Sequence, residues 1–339
     1  MAESTASSRP KLEKGATWAD SDYARGVMPT REVGTHKWEV GGVLVVAGSP
    51  PYTGAAWLTC RAAGRAGAGI VRLASGQSVI NRLAGALPEV AFVTLPETDA
   101  PGAARRAIER LEPSLEKVKA VVIGPGLDDD ETTDHLLSGL FAFGKKAAAK
   151  SAHMGFGAGV VDDGSMADDE SPLFMNENIR VVVDADGLKW LSHQERWWEH
   201  IPAGRLVLTP HVGEMSRLTG LDAADIVADP QGIAREYAAK WGQVVALKTG
   251  HGAISDGTSI IVGDDAPASL ATAGSGDVLA GMIGAFVAQG LSLLDAAGLA
   301  FHVGAKAART CEAIYGELGV IATDLPDVVA SEMRQTSQD

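Results

Sequence analysis

The chain has 339 residues, and 46% of them are hydrophobic, which is enough to build a substantial core. It carries 29 lysines and arginines against 43 aspartates and glutamates, and the formal charge of −14 argues against a surface that binds nucleic acid by counterion release. The longest apolar runs are shorter than the roughly 20 residues that cross a bilayer, and no charged-then-apolar signal segment opens the chain, so we expect a cytoplasmic protein without a membrane partner.

Short β-branched runs alternate with helical patterns from about His36 onward. Residues 1–35 mix polar and charged residues without periodicity, and they are predicted to form a flexible N-terminal arm. Continuous apolar strands with helices between them predict an α/β fold with a mainly parallel sheet that has helices on both faces. The predicted strands are VLVVA at 43–47, IVRLA at 70–74, AVVIG at 120–124, RVVVD at 180–184, LVLT at 206–209 and VVALK at 244–248.

Two segments depart from this alternation. In AISDGTSIIVG, at 253–263, two apolar runs flank an Asp-Gly turn, which predicts a late antiparallel hairpin at the edge of the sheet. Residues 144–178 combine a basic start, a glycine-rich middle and an acidic end, and are predicted to be a surface insertion that is dispensable for folding. The simplest partition is one catalytic domain over residues 36–335, with this insertion and the N-terminal arm.

Glycine-containing loops follow nearly every predicted strand. They are GSPPYTG, GPGL, DADGL, TPHVGE and KTGHG. Each glycine taken alone could simply make a turn. In open parallel sheets, however, ligands bind beyond the carboxyl ends of the strands, so the five loops together predict a ligand cleft at that edge.

The stretch ATAGSGDVLAG, at 271–281, places an aspartate at the start of an apolar helical pattern. The small residues Gly274, Ser275 and Gly276 allow an anion to approach unpaired backbone N–H groups, and the helix dipole adds attraction, so they are candidates for an anion hole. Asp277 has two open readings. It is either a helix cap, worth about 0.5 to 2 kcal/mol, or a base that takes a proton from a hydroxyl during phosphoryl transfer.

Common phosphate motifs do not account for this stretch. Gly281 is followed by Met282 where a Walker A loop has lysine, and no G-x-G-x-x-G follows the first predicted strand. GSGD opening a late apolar helix resembles the anion-hole motif of the ribokinase-like superfamily. The ordered motifs between about His36 and Gly290 resemble the ADP- or ATP-dependent NAD(P)H-hydrate dehydratase family within it. These motifs are HKWEVGGVLVVAGS, TGAA, IGPGL, VVDADGL, LTPHVGEMSRLTG and AGSGDVLAGMIGAFVAQG.

The resemblance implies a repair reaction in which hydrated NADH or NADPH is phosphorylated on its ring hydroxyl and then loses phosphate. It implies that Asp277 is the base and contacts substrate, and that Gly276 belongs to the anion cradle and contacts nucleotide. The other implied substrate contacts are Ala55, Gly126 and His211. The other implied nucleotide contacts are Lys248, Thr249, Gly250, His251 and Gly252. Considered without the resemblance, His211 could satisfy a backbone carbonyl and Lys248 could be a solvated strand end.

Cofactors and partners follow partly from composition and partly from the resemblance. No His or Cys cluster has ligand spacing, and Cys60 and Cys311 lie in small-residue helical patterns, so we expect no protein-built metal site. Mg²⁺ is expected to arrive on the phosphates of ADP or ATP. The resemblance implies a homo-oligomer, a tetramer in the family, and a separate NAD(P)H-hydrate epimerase as functional partner, because no N-terminal epimerase domain is found.

Two other functions stay open at this point. A kinase of the same superfamily acting on a vitamin precursor would use the same aspartate and cradle, although TPHVGE favours the dehydratase. An inactive nucleotide-binding relative is the other alternative, because KTGHG departs from the family's nucleotide segment. Turnover separates this relative from both enzymes.

Overall fold

The computed structural model describes residues 9–143 and 171–338. In this part of the chain, one ten-stranded sheet has the order β1-β10-β9-β8-β7-β6-β5-β2-β3-β4. The strands are β1 (Ala16–Trp18), β2 (Gly42–Val46), β3 (Ile70–Gly76), β4 (Ala91–Leu95), β5 (Ala120–Ile123), β6 (Arg180–Val183), β7 (Leu206–Leu208), β8 (Val244–Leu247), β9 (His251–Ser255) and β10 (Ile260–Asp265).

Helices cover both faces of this sheet. They are α1 (Ser21–Val27), α2 (Lys37–Val40), α3 (Thr53–Arg65), α4 (Gln77–Leu83), α5 (Ala103–Leu115), α6 (Glu131–Phe141), α7 (Pro172–Met175), α8 (Asp186–Ser192), α9 (Val212–Thr219), α10 (Ala223–Ala228), α11 (Pro230–Trp241), α12 (Ser275–Ala288), α13 (Leu293–Tyr315) and α14 (Leu325–Gln338). None of the helices in the described ranges is both long enough and apolar enough to span a bilayer.

The sheet is mainly parallel, as the sequence predicts. The strands from β2 to β8 pair in parallel, whereas β9 is antiparallel to both β8 and β10. The predicted hairpin is therefore confirmed, with its turn at Asp256 and Gly257. β1 pairs in parallel with β10 and forms the outer edge.

Successive residues of β2 enter different cores, which explains why this strand is apolar throughout. Val43 and Val45 pack in the cluster formed with α3, α12 and α13. Leu44 and Val46 pack in the cluster formed with α5, α6, α8 and α11. A strand covered on both faces has no solvent side and so needs no polar alternation.

Helix α12 packs on α3 and on the centre of the sheet through its glycines. A Cβ on Gly281 would overlap the carbonyl oxygen of Thr59, and a Cβ on Gly284 would lie 2.5 Å from Val122 Cγ2. This close packing fixes the N-terminus of α12 at the carboxyl edge of the parallel strands, where the cleft is predicted.

The predicted flexible arm is wrong for residues 16–27. They form β1 and α1, and Ala19 and Ala24 are fully buried. The Tyr23 hydroxyl donates to Asp295 Oδ1 at 2.9 Å. No periodicity is visible in this segment because a three-residue strand is too short to show one, and its partner β10 lies more than 240 positions away.

The predicted insertion at 144–178 is only partly within the described residues. Residues 144–170 lie outside them. Residues 171–173 are buried, with Leu173 fully so, and the Ser171 hydroxyl donates to the Leu140 carbonyl at 2.5 Å, whereas Met175, Glu177 and Asn178 are exposed. The predicted insertion therefore includes a short segment that packs in the core.

Candidate active site

The GSGD turn opens helix α12 at the carboxyl edge of the sheet. Gly274 has a φ of +94°, and a Cβ there would lie 2.5 Å from Leu58 Cδ1, so this position requires glycine. The Ser275 hydroxyl donates to the Leu270 carbonyl at 2.8 Å, which directs its side chain into the protein. Backbone N–H groups in the first turn of a helix lack intrahelical partners, so this turn can hold an anion.

A lysine lies directly beneath the turn. A Cβ on Gly276 would lie 3.3 Å from Lys248 Nζ and 3.6 Å from Asp184 Oδ2. Lys248 Nζ donates to Asp184 Oδ1 at 2.7 Å. Thr209 Oγ1 donates to the same Asp184 oxygen at 2.7 Å. Burial acts to lower the pKa of Lys248, but the charges of Asp184 and Glu214 outweigh it and the pKa is raised, so the lysine is a cation.

Asp277 is the third residue of α12 and is partly buried beside these charges. Burial, reinforced by the charge of Asp184, raises the pKa of Asp277 to about 7 against the opposing charge of Lys248. A carboxyl with a pKa near neutrality accepts a proton more strongly than an ordinary aspartate does, and it is still largely ionised slightly above pH 7. This electrostatic setting suits a general base.

His211 caps helix α9 and holds a defined tautomer. Its Nδ1 accepts hydrogen bonds from the N–H groups of Gly213 at 3.0 Å and Glu214 at 3.3 Å. Burial and the charge of Lys248 lower the pKa of His211, so the ring is neutral at pH 7 and its proton is on Nε2. His211 can therefore donate to an acceptor atom in the cleft.

Glu214 completes the cap of α9. Its Oε2 accepts the backbone N–H of His211 at 2.8 Å and lies 3.9 Å from Lys248 Nζ. Burial raises the pKa of Glu214, and Lys248 opposes this rise. The backbone N–H of Lys248 also donates to the Pro210 carbonyl at 2.8 Å, so the TPHVGE and KTGHG loops meet above β7 and β8.

A cavity of about 520 Å³ extends from this cluster between α12, α13 and α14. Its polar side is lined by His211, Lys248, Thr249, Gly250, Gly252 and Gly276. Its apolar side is lined by Leu270, Leu279, Met282, Phe301, Leu325 and Val329. A Cβ on Gly252 would overlap the ring of Phe301, so glycine at this position lets the ring line the cavity. The combination suits a ligand with a flat apolar group and an anionic end.

The positions matched to substrate contacts lie on the other side of the cluster. Gly126 has a φ of +61°, and a Cβ there would lie 2.8 Å from Ala55 Cβ, so these two residues are brought together. Asp128, two residues further along the same loop, donates its N–H to Asp186 Oδ2 at 3.1 Å. The loops after β2, β5 and β6 thus form one continuous wall.

The structure packs the His251 ring against strand β1. The ring lies edge-on to Trp18, with ring centroids 5.9 Å apart, and His251, like Asp277, is not among the residues that line the cavity in the described part of the chain. Sequence reasoning assigned no role to Asp184 or Glu214. The available signals were the acidic residues directly after β6 and the His-x-x-Glu spacing of a capping box.

The chain is similar in sequence to known proteins of one family. The Carb_kinase family profile, which describes NAD(P)H-hydrate dehydratase, matches residues 43–330. A Xanthomonas campestris protein named ADP-dependent (S)-NAD(P)H-hydrate dehydratase is 33% identical over 304 residues, which cover 89% of this chain and 91% of that protein. A Salinibacter ruber protein named bifunctional NAD(P)H-hydrate repair enzyme Nnr is 35% identical over 308 residues, which cover 90% of this chain. The match covers 50% of that protein, so the chain spans about half the length of this bifunctional relative.

Solved structures share the fold. A ribokinase-like superfamily protein of Enterococcus faecalis superposes with a TM-score of 0.75 at 19% identity, covering 97% of this chain and 99% of that one. The Bacillus subtilis ADP/ATP-dependent NAD(P)H-hydrate dehydratase, co-crystallized with ATP/Mg²⁺, superposes with a TM-score of 0.70 at 20% identity, covering 94% and 98%. The predicted ribokinase-like fold is therefore confirmed.

Proposed function

The chain belongs to the NAD(P)H-hydrate dehydratase family, and from that premise we propose that it dehydrates hydrated NADH or NADPH, using ADP or ATP as phosphoryl donor. The observation that carries this proposal is the position of Asp277. Its carboxyl, with a pKa raised to about 7, lies in the first turn of α12 next to the Lys248 ammonium. A base, a cation and a set of backbone N–H groups meet at one point.

In the first step, Asp277 takes the proton of the ring hydroxyl, and the hydroxyl oxygen attacks the terminal phosphorus of the nucleotide. The bond from this phosphorus to the nucleotide breaks, which leaves AMP from ADP or ADP from ATP. Lys248 and the first-turn N–H groups, including that of Gly276, stabilise the charge on the transferred phosphoryl group. Thr249, Gly250 and Gly252 would contact the rest of the nucleotide.

In the second step, the ring C–O bond breaks and phosphate leaves. The lone pair of the ring nitrogen forms a C=N bond, and the neighbouring ring carbon then loses a proton, which restores the dihydronicotinamide. Phosphate leaves far more readily than hydroxide, so the phosphorylation is what makes the dehydration rapid. We assign Ala55 and Gly126 to the wall against which the substrate ring lies. We assign His211 the role of a hydrogen-bond donor to the substrate through its Nε2–H.

Mg²⁺ would be held mainly by the nucleotide phosphates. No group of three or more potential ligand side chains gathers within residues 9–143 and 171–338. Asp184 Oδ1 already accepts hydrogen bonds from Lys248 and Thr209. When bound, the metal would neutralise phosphate charge, and the residues that face the phosphates would be Lys248 and the GSGD turn.

The finer identity of ligands and partners is also part of the proposal. The relatives named above include one called ADP-dependent and one crystallized with ATP, and we propose that this chain accepts either nucleotide. We further propose a homo-oligomer that works in the cytoplasm with an epimerase acting on the same hydrated cofactors.

One assay tests the proposal. Hydrated NADH or NADPH is incubated with the protein, Mg²⁺ and ADP or ATP, and the absorbance of the reduced nicotinamide is followed. The proposal predicts that absorbance returns in step with AMP or ADP formation, and only when nucleotide is present. Consumption of nucleotide with a hydroxymethylpyrimidine or hydroxyethylthiazole, but not with hydrated cofactor, would instead identify a vitamin-precursor kinase. Nucleotide binding without turnover of any hydroxyl substrate would identify an inactive relative.

A further inference from the structure

Asp184 is a nearly completely buried carboxylate in the site, with 1% of its surface exposed. Both hydrogen bonds to its Oδ1, from Lys248 and Thr209, are 2.7 Å long. Removing a charge pair from water costs several kcal/mol, and an apolar pair of similar size often stabilises a core better. Stability alone therefore does not explain a charge at this position.

The backbone that presents Asp184 is tightly constrained. Gly124, at the end of β5, has a φ of +122°, and a Cβ there would overlap the Asp184 carbonyl oxygen. Ala185 has a φ of +48°, a conformation that non-glycine residues rarely adopt. Strained or closely packed backbone of this kind is characteristic of functional sites. Asp184 therefore has little freedom to move, and its partner Lys248 is anchored to a fixed point.

Lys248 needs such an anchor. A lysine side chain ends in a compact ammonium on a flexible stem, and this one is 22% exposed, so solvent is within its reach. With Asp184 in place, the ammonium lies 3.3 Å from the position that a Cβ of Gly276 would occupy. Displacement of a catalytic group by about 1 Å can lower a rate by about 10²-fold.

We propose that Asp184 is a positioning residue for phosphoryl transfer, which holds the Lys248 ammonium beneath the GSGD turn and is itself held by the Thr209 hydroxyl. The inference rests on the proposed function, because the transferred phosphoryl group is what the ammonium meets. Asp184 acts through Lys248. Thr209 fixes which carboxylate oxygen faces the lysine, since its hydroxyl donates to the same Oδ1.

The arrangement also sets the charge around Asp277. The groups that face it are Asp184 after β6, Asp186 at the start of α8 and Lys248 after β8, with Glu214 of α9 close to Lys248. The charge of Asp184 contributes to the raised pKa of Asp277. Replacing Asp184 by a neutral residue therefore lowers that pKa, and the acid limb of the rate profile moves to lower pH.

Asp184→Asn and Thr209→Val test the proposal on the full chain. In Asp184→Asn we expect kcat to fall by about 10- to 100-fold with a smaller change in the nucleotide KM, and the acid limb of kcat to move to lower pH. We expect Thr209→Val to lower kcat by about 3- to 10-fold. The separate variant Thr209→Ser should keep a kcat close to that of wild type, because its hydroxyl remains. Asp295→Asn is the matched control, since this aspartate accepts a hydrogen bond from Tyr23 away from the site.

A turnover within twofold of wild type in Asp184→Asn would overturn the proposal. So would an acid limb that stays in place or moves to higher pH, or a loss that excess Mg²⁺ restores, because Asp184 would then be a metal ligand. If Asp184→Asn does not fold, the turnover of Thr209→Val is compared with that of Thr209→Ser. Equal turnover in these two variants contradicts the proposal.

A second readout does not depend on the reaction. Acetic anhydride acetylates deprotonated lysines, and peptide mass spectrometry reports the extent at Lys248. Because Asp184 raises the pKa of Lys248, acetylation at pH 8 should be faster in Asp184→Asn than in wild type and in Asp295→Asn. Equal labelling in all three proteins would overturn the positioning role. A wild type that is inactive on hydrated cofactor, but shows this labelling pattern, would reject the proposed function alone.

Discussion

Asp277 couples the chemistry of the site to the stability of the fold. Burial and Asp184 raise its pKa from the ordinary 3.8 to about 7, so the ionised form is disfavoured in the folded protein. Its contribution to stability is fully present below about pH 4 and is lost as the pH rises through about 7. Above neutral pH, Asp277 is therefore ionised in the folded protein, and its burial lowers the free energy of unfolding. A destabilising group of this kind is retained because of its function.

This linkage makes Asp277→Asn more stable than wild type. At pH 8 we expect a gain of about 1 to 3 kcal/mol in the free energy of unfolding, because the amide carries no charge to desolvate. Urea unfolding at pH 8 and pH 4 measures it. The gain should shrink towards zero at pH 4, where both side chains are neutral. A destabilised variant at pH 8 would show that the carboxylate acts mainly as a helix cap.

Gly276→Ala tests the anion cradle itself. The added methyl would lie 3.3 Å from Lys248 Nζ, in the space assigned to the phosphoryl group. We expect the protein to fold normally and its turnover to fall by about 10²-fold, with weaker nucleotide binding. The matched control is Gly64→Ala in α3, where a Cβ meets nothing within 4 Å. Equal turnover in the two variants would remove Gly276 from the cradle.

Motifs in the sequence indicate candidate residues on the loops but not the contacts between them. Asp277, His211 and Lys248 are predicted site residues because they lie in motifs that resemble those of the family, and their roles are proposals. The Lys248 to Asp184 pair joins positions 64 apart, and it forms only because β7 brings the ends of β6 and β8 to its two sides. His251 is directed towards Trp18 because β9 begins at this residue, and strand alternation turns its side chain away from the cavity.

Helix α7 shows how a short element can carry part of the core. Leu173 is fully buried between α5 and α6, although only four residues around it are helical. Leu173→Ala should lower the free energy of unfolding by about 2 to 5 kcal/mol, because it leaves a cavity that the neighbouring helices cannot close. Chemical denaturation measures this loss. The control is Met175→Ala in the same helix, because the Met175 side chain is 64% exposed. A similar small loss in both variants would mean that α7 only rests on the surface.

The strands with a long continuous apolar run were all predicted, and the Asp-Gly turn identified the β9–β10 hairpin. The six runs from 43–47 to 244–248 correspond to β2, β3, β5, β6, β7 and β8. β4 was missed because this edge strand is only partly buried and has the mixed sequence AFVTL. β1 was missed because three residues show no period, so its place beside β10 depends on tertiary contacts that no local pattern encodes.

The protein carries a formal charge of −14, and the nucleotide that it is proposed to bind is also an anion. Asp184, Glu214 and Asp277 surround one ammonium, so the site has no excess positive charge for a di- or triphosphate. We therefore expect ADP and ATP to bind at least tenfold more weakly when Mg²⁺ is removed by a chelator, while the melting temperature without nucleotide stays the same. Calorimetry with and without Mg²⁺ measures the first effect. Equal affinity under both conditions would contradict a metal carried by the phosphates.

Comparison of wild type with Asp277→Asn in the absorbance assay on hydrated cofactor tests directly whether Asp277 is the base of a nucleotide-dependent dehydration. We expect wild-type kcat/KM to rise with pH through an apparent pKa of about 7. We expect turnover of the variant to be lower by about 10²- to 10⁴-fold, with nucleotide affinity equal or higher. Near-normal turnover in a folded Asp277→Asn, or a wild type that never restores the reduced nicotinamide, would contradict this role of Asp277.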